Sequence, residues 1–460
     1  MALSESMEGD DLNNLSYKIF SKLESDWLFG LSEKKLWIPQ LLQELVVENP
    51  MAAPPAPPSR GKVCVLSIDG GGTRGVIAAR ALAFLEDALK RKSGNPDAAV
   101  ADYFDVAAGT GSGGILTTML FASGGATGRP LFKAAHTWRL LVEEGKKMFS
   151  PSGSMARFLG TAPAYSTKKL ERVFKSWFVK PDGKCLTLKD TVKPVLIPCY
   201  DLSTAAPFLF SRADALETDN YDFNLWEVCR ATAATPGLFN PMSLSSVDGH
   251  TSCTALDGGL VMNNPAVAAI THVLHNKQEF PWVNGVDDLL VLSLGTGQFD
   301  QSDDPGHVNE WGKRNGNVKG KGSSASSTKP IMKILLDGLS DTADHVITTA
   351  FGDHNRQNYV RVQATGLPDK SVPEMDDASQ SNMKKLLQIS DKMLKEKSME
   401  SVPFGGKRLL SQTNAQRLEW FAEQLIAEHQ ARSTRKVPTV VLKHTYKDLH
   451  ADSERTKSVL

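Results

Sequence analysis

The 460-residue chain balances 52 Lys and Arg against 52 Asp and Glu, so no global field draws it to nucleic acid or to anionic lipid, and any such attraction must be local. The length suffices for a large core, either as two or three domains or as one α/β domain with helical additions. Its five cysteines (Cys64, Cys185, Cys199, Cys229 and Cys253) form no C-x-x-C pair, which argues for reduced thiols inside the cell and offers no zinc site.

The first residues, M-A-L-S-E-S-M-E-G-D-D, have neither a basic nor an apolar leader region, so no secretory signal is expected. No apolar run reaches the ~18 residues that span a bilayer. The expectation is a cytoplasmic protein, soluble or peripheral on membranes, with no nucleic-acid partner. Within residues 1–50, Leu12, Leu15, Ile19 and Leu23 recur at steps of three and four, and Trp27, Phe29 and Trp37 follow, which predicts a helical extension with an apolar stripe. Residues 51–61, M-A-A-P-P-A-P-P-S-R-G, form a stiff Pro/Ala linker and mark a domain boundary.

The main domain is expected over 62–300. Val63 to Ile68 predicts a buried strand, Asp69 to Gly75 a glycine loop, and Val76 to Lys92 a helix. The apolar run from Tyr103 to Ala108 then predicts a second strand, which turns through Gly109, Thr110, Gly111, Ser112 and Gly113 into a helix carrying Ile115, Leu116, Met119 and Leu120. This gives a β-α-β-α opening with parallel strands. Residues 129–192 read as mainly helical, and Lys193 to Cys199 as a strand paired with Phe208 to Ser211. Beyond them follow a helix around Leu225, a loop bearing Asp257, a helix from Pro265 and a strand at Leu289 to Leu294. A Gly/Ser/Lys-rich loop is expected at 301–330, a mainly helical C-terminal part at 331–435, and a polar tail at 436–460, frayed from Arg432 onward.

Three constellations carry chemistry. The first is Gly70, Gly71, Gly72, Thr73, Arg74 and Gly75 between strand and helix. The spacing of Gly70, Gly72 and Gly75 matches a dinucleotide loop, but Glu86 and Asp87 fall inside the helix where a ribose-binding acid would follow the next strand. The same backbone amides, at a helix N-terminus, could instead stabilise an oxyanion. The second is Asp257, followed by Gly258 and Gly259; it reads either as a turn or cap carboxylate or as a general base. The third is the strand-to-helix elbow. Its frame, Gly109 to Gly113, reads G-x-G-x-G, so the tip, Gly111, lacks the hydroxyl of a G-x-S-x-G nucleophile elbow. Ser112 lies one residue later, as a helix cap or as a substitute nucleophile, and a water held beside Gly111 is the other route. His136, His272, His275 and His354 lie outside these loops and read as packing or surface residues.

The three loops in this order, together with Val228 to Pro236 (V-C-R-A-T-A-A-T-P) and Leu256 to Ala266, resemble the patatin-like phospholipases over roughly Val63 to Gly297. The G-x-G-x-G elbow is similar to that of a plant subgroup of the family. The resemblance implies a three-layer α/β/α fold with a mainly parallel sheet, here with N-terminal and C-terminal helical additions. It also implies hydrolysis of acyl esters in membrane phospholipids and galactolipids by a Ser-Asp dyad, without metal or cofactor. Carried over by position, Asp257 is the dyad base, Gly70 to Gly75 the oxyanion loop flanked by Arg74, and Gly111 the nucleophile position from which Ser is absent. A catalytically inactive relative serving as a lipid-binding or protein-binding scaffold is the alternative.

Overall fold

The computed structural model describes residues 61–124, 128–153, 163–298, 329–365, 367, 375–402, 406–435 and 438–443. The expected N-terminal helices, the Pro/Ala linker and nearly all of the 301–330 loop lie outside them. Strand β1 (Val63–Ile68) leads through the glycine loop into α1 (Gly75–Ser93), and β2 (Val106–Gly109) turns into α2 (Ser112–Phe121). After α3 (Ala134–Met148) and α4 (Thr167–Trp177) come β3 (Val195–Asp201), β4 (Ala206–Ser211) and α5 (Leu225–Thr232). Next are β5 (Met242–Ser245), β6 (Ser252–Asp257), α6 (Ala266–His275) and β7 (Leu289–Leu294). The C-terminal part comprises α7 (Lys329–Asn355), β8 (Tyr359–Val362), α8 (Gln380–Lys395), β9 (Lys397–Val402), β10 (Gly406–Thr413) and α9 (Asn414–Thr434).

Eight strands form one sheet in the order β5-β6-β3-β2-β1-β7-β8, with β4 against β3. The pairs around β1 are parallel, whereas β3 with β4, β3 with β6, and β5 with β6 are antiparallel. Every residue of β1 is buried, but alternate residues serve different cores: Cys64, Leu66 and Ile68 pack with α1, α2 and α9, while Val63 and Val65 pack with α6 and the Ile347 and Phe351 side of α7. That division follows from the two-residue period of a strand covered on both faces. The result is a three-layer α/β/α domain.

Three expectations are corrected. Asp257 is the last residue of a strand, β6, rather than part of a loop. The stretch expected to be mainly helical also contains the antiparallel hairpin β9-β10. The described residues from Arg432 to 443 are anchored rather than frayed: Arg432 forks onto Asp105 with contacts of 2.6 and 2.7 Å, and the amides of Val441 and Lys443 donate to the carbonyl and carboxylate of Glu279; the rest of the expected tail lies outside the described residues.

Candidate active site

The parallel strands β1 and β2 end side by side, Ile68 opposite Gly109, so the loops that follow them meet at one edge of the sheet. At the elbow Gly111 adopts φ 52°, ψ −120°, a conformation that L side chains rarely take. Its amide donates to Thr232 Oγ1 at 3.0 Å, and that hydroxyl donates to Pro198 O at 2.7 Å, tying the tip to β3 and to the end of α5. Gly113 faces the backbone of β1, where a methyl group would lie 2.2 Å from Ile68 O. The turn is therefore as sharp as a nucleophile elbow. A Cβ built on Gly111 meets only ordinary contacts: Asp257 Oδ1 at 3.5 Å, Gly70 Cα at 3.7 Å and Thr232 O at 3.8 Å.

Asp257 is half-buried at the end of β6, where its carboxylate accepts from Thr235 Oγ1 at 2.5 Å and from the Gly259 amide at 2.8 Å. Burial pushes its carboxyl above the ordinary 3.8, and these two donors pull it back only in part. Opposite, the Gly70 amide donates to Asn263 O and the Thr73 amide to Met375 O, whereas the amides of Gly71 and Gly72 donate to no acceptor among the described residues. Two backbone donors at the entry to α1 thus remain for an oxygen ligand. A cavity of about 760 Å³, counting its open mouth, joins these groups. One end is polar, with Gly70 to Thr73, Gly111, Ser112, Thr235, Asp257 and Asn263. The rest is apolar, walled by Ile115, Leu141, Met148, Phe149, Phe174, Leu238, Phe239 and Met383. Such a cavity matches an acyl chain, with its ester group at the polar end.

The patatin-like phospholipase family model matches residues 66–270. Patatin-like protein 6 of Arabidopsis thaliana is 51% identical over 455 residues, covering 95% of this chain and 88% of its own length. The chain belongs to the patatin-like phospholipase family. It is also similar to the Arabidopsis thaliana protein named Probable inactive patatin-like protein 9, at 44% identity over 91% of this chain and 93% of that one. Patatin-04/09 of Solanum tuberosum is 31% identical over 74% and 86%. Lipid acyl hydrolysis is the family's general activity.

Within this patatin-like domain, Gly70, Gly71, Gly72, Thr73, Gly111, Ser112 and Asp257 line the one cavity. Arg74, Gly75, Gly109, Gly113, Gly258 and Gly259 do not line it; Arg74 is buried and donates to Gly297 O at 3.0 Å. Ser112 does not cap the helix. It is the first residue of α2, and its buried Oγ makes no hydrogen bond with the described residues and faces Gly75, on which a Cβ would lie 2.7 Å away. His136, His272, His275 and His354 lie outside the cavity lining. Glu86 binds the amide of Ala134 and Lys90 rather than facing the glycine loop. Thr232, Thr235 and Asn263 lie within the motif-bearing segments Val228 to Pro236 and Leu256 to Ala266, but no motif gives them a role. The signal was available: polar residues within otherwise apolar or small stretches, beside motif loops, need partners once buried.

Proposed function

We propose that this protein releases fatty acids from membrane glycerolipids, phospholipids and galactolipids among them. Asp257 acts as general base, and the amides of the Gly70 to Gly75 loop stabilise the oxyanion. One observation carries this reading: Asp257 Oδ1 lies 3.5 Å from where a Cβ on the Gly111 tip would stand, beside amides without an acceptor among the described residues, in a cavity otherwise walled by apolar side chains. With no side chain at Gly111, water is the nucleophile. Asp257 takes a proton from it as its oxygen attacks the ester carbonyl, then returns the proton to the departing glycerol oxygen. Ser112 is the less favoured nucleophile, because its hydroxyl packs against Gly75. The protein meets lipid at the membrane surface, working from the cytoplasm; among the described residues no helix is long and apolar enough to cross a bilayer.

The second reading is a lipid-binding scaffold without activity. Gly111 favours it, as does similarity to a relative named as probably inactive. In serine hydrolases, loss of the nucleophile lowers the rate by about 10⁶ and leaves about 10³ to 10⁴ over water. The deciding experiment is fatty acid release from mixed phospholipid and galactolipid vesicles by wild type and Asp257→Asn. Hydrolysis by wild type alone supports the enzyme, and Ser112→Ala should then retain it. Equal silence with retained vesicle binding supports the scaffold.

A further inference from the structure

Asn263 follows α-helical turn residues just after Asp257 and holds three parts of the site together. Its carbonyl accepts the Gly70 amide, and its side-chain nitrogen donates to Leu336 O at 3.1 Å and to Ser340 Oγ at 2.8 Å. A backbone carbonyl only accepts, so the contact with Leu336 O fixes which side-chain atom is nitrogen. The amide oxygen must therefore face the other way, toward Gly70 and the cavity. It is buried and accepts no hydrogen bond from the described residues, on a residue only 6% exposed. A methyl group on Gly70 would lie 2.4 Å from this oxygen, and one on Gly259 would lie 3.2 Å from both it and Asp257 Oδ1. The two oxygens thus flank one point beside Gly259, and Asp257 Oδ1 also lies 3.5 Å from the Cβ position of Gly111, in the cavity that all three of Gly111, Asp257 and Asn263 line.

We infer that Asn263 is the water-positioning residue of this site, its Oδ1 and Asp257 Oδ1 binding the two hydrogens of one water. The inference rests on Asp257 acting as base toward water. A water that donates to both oxygens keeps its lone pairs free, and one of them can face an ester carbonyl held by the Gly71 and Gly72 amides. In the reaction the oxygen bonds to the carbonyl carbon while the proton shared with Asp257 moves to the carboxylate. The second hydrogen stays on the attacking oxygen, donated to Asn263 Oδ1, and leaves with the fatty acid. Collapse breaks the bond to the glycerol oxygen, which takes the proton from Asp257, so a fatty acid and an alcohol leave and the enzyme is restored. A Ser hydroxyl carries one hydrogen and has no need of the second acceptor. That difference separates a role toward water from a merely structural one.

The test compares Asn263→Ala in two backgrounds. In wild type the substitution should lower fatty acid release from phospholipid vesicles about 10- to 100-fold, as for one lost hydrogen bond to a reacting group. In Gly111→Ser, fluorophosphonate labelling of the introduced hydroxyl should proceed within about threefold of its rate with Asn263 intact, because that step uses no water. Unchanged release, or labelling that falls in parallel with release, overturns the inference. A crystal structure of the wild type gives a readout independent of activity. An ordered water within hydrogen-bond distance of both oxygens, about 3.2 Å or less, supports the site even in a preparation that hydrolyses nothing, in which case only the proposed hydrolysis fails. A water bound to Asp257 alone, or none, overturns it.

Discussion

Gly111 keeps the backbone of a nucleophile elbow without the nucleophile, at φ 52° and ψ −120°, and a Cβ there would meet nothing closer than 3.5 Å. Gly111→Ser should therefore fit, at a stability loss of about 1–2 kcal/mol for holding an L residue in this conformation. Its hydroxyl would lie within reach of Asp257, so vesicle hydrolysis should rise by about two orders of magnitude or more, given what a serine nucleophile contributes; steady-state release and a denaturant melt measure both effects. Asp257 also sets a pH dependence. Burial raises its carboxyl above 3.8, so kcat/KM should fall on acidification with a midpoint above that value, as the base takes up its proton. For stability the sign is opposite. The folded state holds this proton more tightly than the unfolded chain, so the stabilisation is full below 3.8 and is lost as pH rises through the folded value. Asp257→Asn, neutral throughout, should gain in Tm relative to wild type from acid to neutral pH while losing hydrolysis.

The elbow depends on the elements around it, and Thr232 at the end of α5 is the tie. Its hydroxyl joins the Gly111 amide to Pro198 O of β3. Thr232→Val keeps the shape but leaves both backbone groups unpaired, so unfolding free energy should drop by about 1–3 kcal/mol, and any hydrolysis should fall with it as the tip loosens. Calorimetry alongside the release assay checks this; an unchanged Tm would mean that the tip is held by Gly109 and Gly113 alone. The strands and helices on either side of the tip were legible because their signals are local: an apolar run, a glycine cluster, then helical spacing. β6 was not. S-C-T-A-L-D carries little apolar length, and it becomes a strand by antiparallel pairing with β3 at Cys199, Tyr200 and Asp201. The hairpin β9-β10 escaped for a similar reason, since K-S-M-E-S-V and G-K-R-L-L-S-Q-T are mostly polar and pair only with each other. The motif loops gave the residues around the cavity, but not Asn263 or Thr235, whose positions depend on partners from other loops.

Across the whole molecule, the glycine loop is held by a residue far along the chain. Asp69, buried at the end of β1, receives both arms of the Arg361 guanidinium at 2.9 and 2.5 Å, across 292 positions of sequence. Arg361 lies on β8 and also donates to Ser293 Oγ of β7, so one side chain links three neighbouring strands at the edge from which the loop departs. No sequence motif announces this pair, because only the strand order β1-β7-β8 brings its members together. A buried pair contributes little net stability when compared with apolar isosteres, yet losing one partner strands a charge. Arg361→Met should therefore lower unfolding free energy by about 3–5 kcal/mol. Adding Asp69→Leu should recover most of that loss, since both polar groups are then gone. The double variant should nevertheless stay impaired in any hydrolysis, because Asp69 immediately precedes the loop whose amides face Asp257. Equilibrium denaturation of the three variants, with vesicle hydrolysis on the same samples, separates the two consequences. Recovered stability with recovered activity would show that the pair holds the sheet together but does not set the loop.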